Sequence, residues 1–71
     1  MPPHRSWLER YQEANRHVAS GREVIRRQRD LIARRKATSR NTDESEDLLA
    51  SFERTQTIFE DDLARITRER E

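Results

Sequence analysis

The chain of 71 residues contains no cysteine. That removes disulfide frameworks, thiol nucleophiles and cysteine-based zinc sites from consideration. Glycine occurs once and proline twice, at positions 2 and 3, so from His4 onward only Gly21 disfavours helix. No apolar run approaches membrane-spanning length, and the start MPPHRS has no signal-peptide hydrophobic core. The expectation is a cytoplasmic chain with no membrane association. A Gly-rich phosphate loop, a nucleophile elbow and a catalytic pair of acids are also missing. The reading is therefore of a chain that is not an enzyme and takes no cofactor.

What is present is charge. Charged residues make up 41% and hydrophobic ones 31%, a composition shared by disordered segments and by long helices. Periodicity decides between them. Ser6-Trp7-Leu8-Glu9 reads as a capping box that opens a helix after a disordered tail at 1–5. The stripe Trp7, Tyr11, Ala14, Val18, Gly21, Ile25, Gln28, Ile32 then runs, from Tyr11, in alternating steps of three and four. The stretch ATSRNTDE breaks it, with Thr42 as the expected N-cap of a second helix. That helix carries Leu49, Phe52, Gln56, Phe59, Leu63, Ile66 in the same steps.

The predicted fold is all-α. It is a single domain over 1–71, an antiparallel two-helix hairpin with a heptad-like seam. Helix 1 spans about 6–37, the turn about 38–42 and helix 2 about 42–69. With the turn near residue 40, facing positions should sum to about 80–81. Gly21 then faces Phe59, Ile25 faces Gln56, Gln28 faces Phe52, Val18 faces Leu63, Ala14 faces Ile66, and Ile32 faces Leu48 and Leu49. Gln28 and Gln56 fall one layer apart, either bonded to each other or with Gln28 reaching out to solvent.

The motif His17-Val-Ala-Ser-Gly21-Arg-Glu-Val-Ile25-Arg-Arg-Gln28-Arg-Asp-Leu-Ile32, followed by Asn41-Thr42-x-x-Ser45-Glu46-x-Leu48-Leu49, resembles a group of short uncharacterised proteins common in α-proteobacteria. In that group an H-[IV]-x-x-G-x-x-x-I-x-x-Q-x-x-[IL]-I helix precedes a D-T-x-x-A-E-x-L-L segment. The resemblance covers roughly residues 14 to 66. It implies a helical hairpin and no activity. The chain departs from the pattern at the turn, where Ser39 replaces a usual glycine, which leaves Asn41 as the expected left-handed residue.

Charge is split along the chain. Residues 1–40 carry eleven Lys/Arg against four acids, and residues 41–71 carry ten acids against four Arg. Side by side the two halves can neutralise each other. Arg22, Arg26 and Arg29 are nonetheless the candidate phosphate contacts if the chain binds nucleic acid, the less favoured reading. His4 and His17 are too few and too far apart for a metal site, and His17 is expected to border the seam. Glu60-Asp61-Asp62, with Glu53, reads as a solvated charged face. Trp7, Leu8 and Tyr11 read as the closure of the hairpin's open end.

A hairpin this small needs further support, and no disulfide or metal site supplies it. Val24 and Leu31 beside the first stripe, and Leu48 and Thr55 beside the second, form an apolar edge, while Ile58 lies off both edges. The expectation is a homodimer joined at Val24, Leu31, Leu48 and Thr55 into a four-helix bundle, acting as an interaction module with an unidentified protein partner.

Overall fold

A computed structural model describes residues 6–70 of the chain. The expected tail at 1–5, with His4, lies outside these residues. Two helices, α1 (Trp7–Ala37) and α2 (Asp43–Arg68), form an antiparallel hairpin of 54 × 27 × 14 Å with no strand among the described residues.

The first helix starts as its sequence requires. Ser6 is extended (φ −66°, ψ 157°), and its hydroxyl accepts from the Glu9 amide at 3.1 Å, supplying one of the partners that a first helical turn lacks. The helix ends with Arg34, Arg35 and Lys36 in its last turn, the charge that a helix C-terminus favours.

The turn differs from expectation. Ser39, not Asn41, takes the left-handed conformation, with φ 58°. The Arg40 amide donates to Arg35 O at 2.9 Å and the Ser39 amide to Lys36 O at 3.0 Å. These are the two bonds of a Schellman ending, whose left-handed residue directly follows the C-cap. Since α1 is capped by Thr38, the left-handed position falls on Ser39 whatever its side chain. Asn41 has another task. Its Oδ1 accepts from the Asp43 amide at 2.8 Å. Thr42 holds the N-cap position of α2 without a side-chain cap, and its hydroxyl donates to Glu46 Oε2 at 3.1 Å.

The seam buries Ala14, Val18, Ile25, Gln28 and Ile32 from α1, with Ser45, Gln56 and Ile66 from α2. One expected pairing changes. Gly21 lies against Gln56, not Phe59, and Arg70 lies over Trp7 at 4.7 Å. The numbers of these two pairs sum to 77 and those of His17 and Phe59 to 76, whereas Arg22–Glu60, Arg29–Glu53 and Lys36–Glu46 each sum to 82, so the side-chain contacts bracket the expected 80–81.

The glutamines explain Gly21. A Cβ on Gly21 would collide with Gln56 Oε1 and lie 2.8 Å from Gln56 Cδ, so the absent side chain is the space that the amide fills. Gln56 Nε2 donates to Val18 O at 3.0 Å, and Gln28 Nε2 donates to Ser45 O at 2.8 Å. Neither glutamine bonds to the other, and neither reaches solvent, being 7% and 9% exposed respectively. Each helix thus sends one amide to a backbone carbonyl of its neighbour. Gln56 Oε1 is buried without a partner among the described residues, which subtracts from the gain of that layer.

Two stability outcomes follow from this geometry. Gly21→Ala, worth about 1 kcal/mol in favour of an exposed helix, should here destabilise by about 1–3 kcal/mol. In a Gln56→Ala background the same change should stabilise. Urea unfolding of the four-member cycle measures the coupling, and a stabilising Gly21→Ala in the parent chain would overturn this account. Ser39→Gly should stabilise by about 0.5–1 kcal/mol, the cost of a left-handed L-residue less the entropy glycine gains when unfolded. A lower melting temperature for Ser39→Gly would contradict the Schellman assignment.

Candidate functional site

The register gives the seam two unlike flanks. On one, Arg22, Arg29 and Lys36 recur at seven-residue spacing along α1, and Glu60, Glu53 and Glu46 recur at the same spacing along α2. They meet as Arg22–Glu60 at 3.6 Å, Arg29–Glu53 at 3.1 Å and Lys36–Glu46 at 3.1 Å. The basic and acidic halves of the chain do lie side by side. The seven-residue spacing of both rows is visible in the sequence, and their sum of 82 lies close to the expected 80–81.

The arginines considered for phosphate all sit against carboxylates of their own chain. Arg22 and Arg29 belong to the ladder. Arg26 lies outside it and is held at 2.7 Å by Glu23 and at 2.9 Å by Asp30. Arg27 shares Glu23 at 2.9 Å. Beside these two guanidiniums the Glu23 carboxyl is lowered to about 2, chiefly through its hydrogen bonds to Arg26 and then Arg27. The hydrogen bond from Lys36 lowers Glu46, and that from Arg10 lowers Glu69.

The other flank is divided along its length. Near the open end, Arg10 grips Glu69 through two hydrogen bonds of 2.6 and 3.2 Å, and His17, Asp62 and Arg65 share the same groove. Asp62 accepts from Arg65 at 2.7 Å. Toward the turn the flank becomes apolar. Val24 and Thr55, expected on a shared edge, line one groove of about 260 Å³ floored by Gly21, Phe52 and Phe59. Leu31 and Leu48 lie one heptad nearer the turn and are not part of that groove's lining. Val24 is 40% and Leu48 is 47% exposed, Thr55 is exposed and Leu31 half-buried. The sequence thus names four residues of the edge, but it misses Phe52 and Phe59, which it assigns wholly to the seam. Both are half-buried and turn part of their rings to this flank.

The remaining candidates separate. His17 borders the seam, exposed, with its ring 5.0 Å from that of Phe59. Glu60 turns to Arg22 and Asp62 to Arg65, so the acidic run diverges. No group of three His, Asp or Glu side chains among the described residues is placed to hold a metal ion. Trp7 stacks on Tyr11 at 4.9 Å and donates from Nε1 to Ile66 O at 2.8 Å, which ties the two ends of the hairpin together. Leu8, expected in that cluster, is 53% exposed, because it follows Trp7 by one residue and so points about 100° away. Ile58 is also exposed. No helix among the described residues is long and apolar enough to cross a membrane.

Compared with protein-family models, known proteins and solved structures, the chain matches none.

The lowered carboxyls set the expected acid response. A carboxylate depressed in the folded state contributes stability that is complete above its unfolded value and is lost as pH falls through the folded value. For Glu23 that window runs from 4.5 down to about 2, and Glu46 and Glu69 begin to lose their share from the same upper limit. The melting temperature followed by circular dichroism should therefore hold from neutral pH to about 5 and fall below it. Glu23→Gln should shallow the fall. The effect is small because every pair is exposed. A melting temperature that rose on acidification would refute the assignment.

Proposed function

We propose that the protein is a non-enzymatic helical interaction module, working in the cytoplasm, that pairs with a second copy to form a four-helix bundle and offers its outer surface to a protein partner. The observation that carries this reading is the contrast between the flanks. One is closed by ion pairs between the helices, whereas the other leaves Val24, Leu48 and Thr55 exposed beside half-buried Leu31, Phe52 and Phe59. No side chain among the described residues is less than 2% exposed, so none of them is fully enclosed in a lone copy. Covering the apolar flank would enclose those it presents, with each fully buried side chain worth about 1.5–3 kcal/mol.

The ion pairs weigh against the nucleic-acid alternative. Phosphates would have to draw Arg22, Arg26 and Arg29 from carboxylates already in place, which lowers the gain from counterion release. The resemblance to the α-proteobacterial hairpin group belongs to this proposal too. The group's turn glycine falls at the position where this chain carries left-handed Ser39, the conformation that glycine adopts at least cost.

Sedimentation equilibrium at micromolar concentration should give twice the 8.6 kDa chain mass. Leu48→Glu should return it to one chain mass, and Ala50→Glu, at an exposed position on the far side of α2, should not. Fluorescence anisotropy with duplex DNA should show no binding at ~0.15 M salt. A folded monomer for the parent chain would defeat the self-association reading. DNA affinity that fell steeply with salt and was lost in an Arg22, Arg26 and Arg29 triple alanine variant would install the alternative.

A further inference from the structure

The apolar flank is not uniform, and its division constrains how two copies can meet. From the open end toward the turn it presents the Arg10–Glu69 ion pair, then His17 and Asp62 in a charged groove, then Val24 and Thr55 in the apolar groove. Leu31 and Leu48 follow, nearest the turn. Charge occupies one half and hydrocarbon the other.

Two identical flanks can face each other about a two-fold axis that runs either along the hairpin or across it. An axis across the hairpin reverses one copy. It would lay Leu31 and Leu48 of one copy over His17 and Asp62 of the other, pressing charged groups against hydrocarbon with no new partner, which costs free energy. Sliding the reversed copies until only their apolar halves overlap would leave both open halves without contact. An axis along the hairpin sets like against like. Leu31 and Leu48 from both copies then form one layer, Val24 and Thr55 form the next, and the Arg10–Glu69 pairs remain together at the wet end.

Resting on the self-association reading, we propose that the bundle joins two copies turn to turn, with both turns at one end and all four termini at the other. In this arrangement α1 of one copy lies beside α2 of the second. Arg34, one turn beyond Leu31, comes level with Glu44 of the second copy, and Glu13 comes level with Arg65. Both pairings are of opposite sign. The partner that the groove over Gly21 fits is thus a second copy of this chain in parallel alignment, meeting the same layer of Val24 and Thr55.

The natural absence of cysteine makes the test direct. Arg40→Cys at the turn and Arg68→Cys at the open end replace exposed residues. Spin labels on these variants report distances between copies by pulsed electron resonance, and Asp47→Cys serves as a second turn-end position if Arg40→Cys disturbs assembly. Turn-to-turn pairing gives short distances, well under half the 54 Å hairpin length, for Arg40 with Arg40 and for Arg68 with Arg68. It gives distances near that length in a mixed dimer carrying one of each. The reverse pattern, long within each variant and short in the mixed dimer, overturns this alignment while leaving self-association intact. A monomer by sedimentation under the same conditions removes the self-association reading and the alignment with it.

Discussion

The layer in which Gln56 lies over Gly21 decides the rest of the structure. A glutamine amide fills the space of a missing side chain and donates to Val18 O. That bond exists in one alignment only. A slip of one turn would lift the amide from the glycine and bury it against a side chain, leaving its donor unpaired as well as its oxygen. An all-leucine seam would tolerate neighbouring registers, whereas a polar group that finds its partner in one register excludes them. Gln28 repeats the device toward Ser45 O, and the two bonds run in opposite directions across the seam. The hairpin gives up some stability for this, through the unpaired Gln56 Oε1 and through a glycine in mid-helix.

Once the register is set, the flanks follow without further choice. Arg22, Arg29 and Lys36 are brought to Glu60, Glu53 and Glu46 on one side. On the other, Val24 comes to Thr55 and the ring of Phe59 to His17. Exposed ion pairs of this kind are worth about 0–1 kcal/mol each, so the ladder is not what holds the helices together. Its effect is on specificity. A slip of one row past the other would leave charges at its ends uncompensated, and the ladder penalises that alternative together with the glutamines.

The two helices, their boundaries and their inward stripes were legible in the sequence because they depend on neighbours three and four residues away. Ser6 caps Glu9 as its spacing implies, and α1 and α2 end within a residue or so of their expected limits. Facing pairs were legible only in part. A turn centred near residue 40 gives a sum close to 80, and the side-chain contacts range from 76 to 82, because long side chains lean along the helices before they meet. The left-handed residue was misplaced for another reason. Asn41 has the better intrinsic tolerance, but the Schellman geometry counts from the end of the helix and lands on Ser39. The glutamines are expected from sequence either to bond to each other or, for Gln28, to reach solvent, because backbone carbonyls inside a helix look satisfied in a sequence. Each has a second lone pair, and the facing amide takes it. Val24 and Thr55, expected on one edge, line one groove, while the part that Phe52 and Phe59 take in it could not be named in advance, since a large ring reaches beyond the stripe that its position assigns it to.

The segregation of charge along the chain has its physical reason in this arrangement. A helix pair with mixed signs on both members would find partners within each helix and leave its alignment open. Placing the basic excess on α1 and the acidic excess on α2 leaves charge to be compensated between them, and the seven-residue spacing gathers three of these pairs on one flank while Arg10–Glu69 closes the open end of the other. The arginines that resemble a nucleic-acid footprint in one dimension are in three dimensions half of an internal pairing. The flank that carries no such pairing near the turn is then the one surface whose hydrocarbon is left against water, and that is where contact with another molecule gains most.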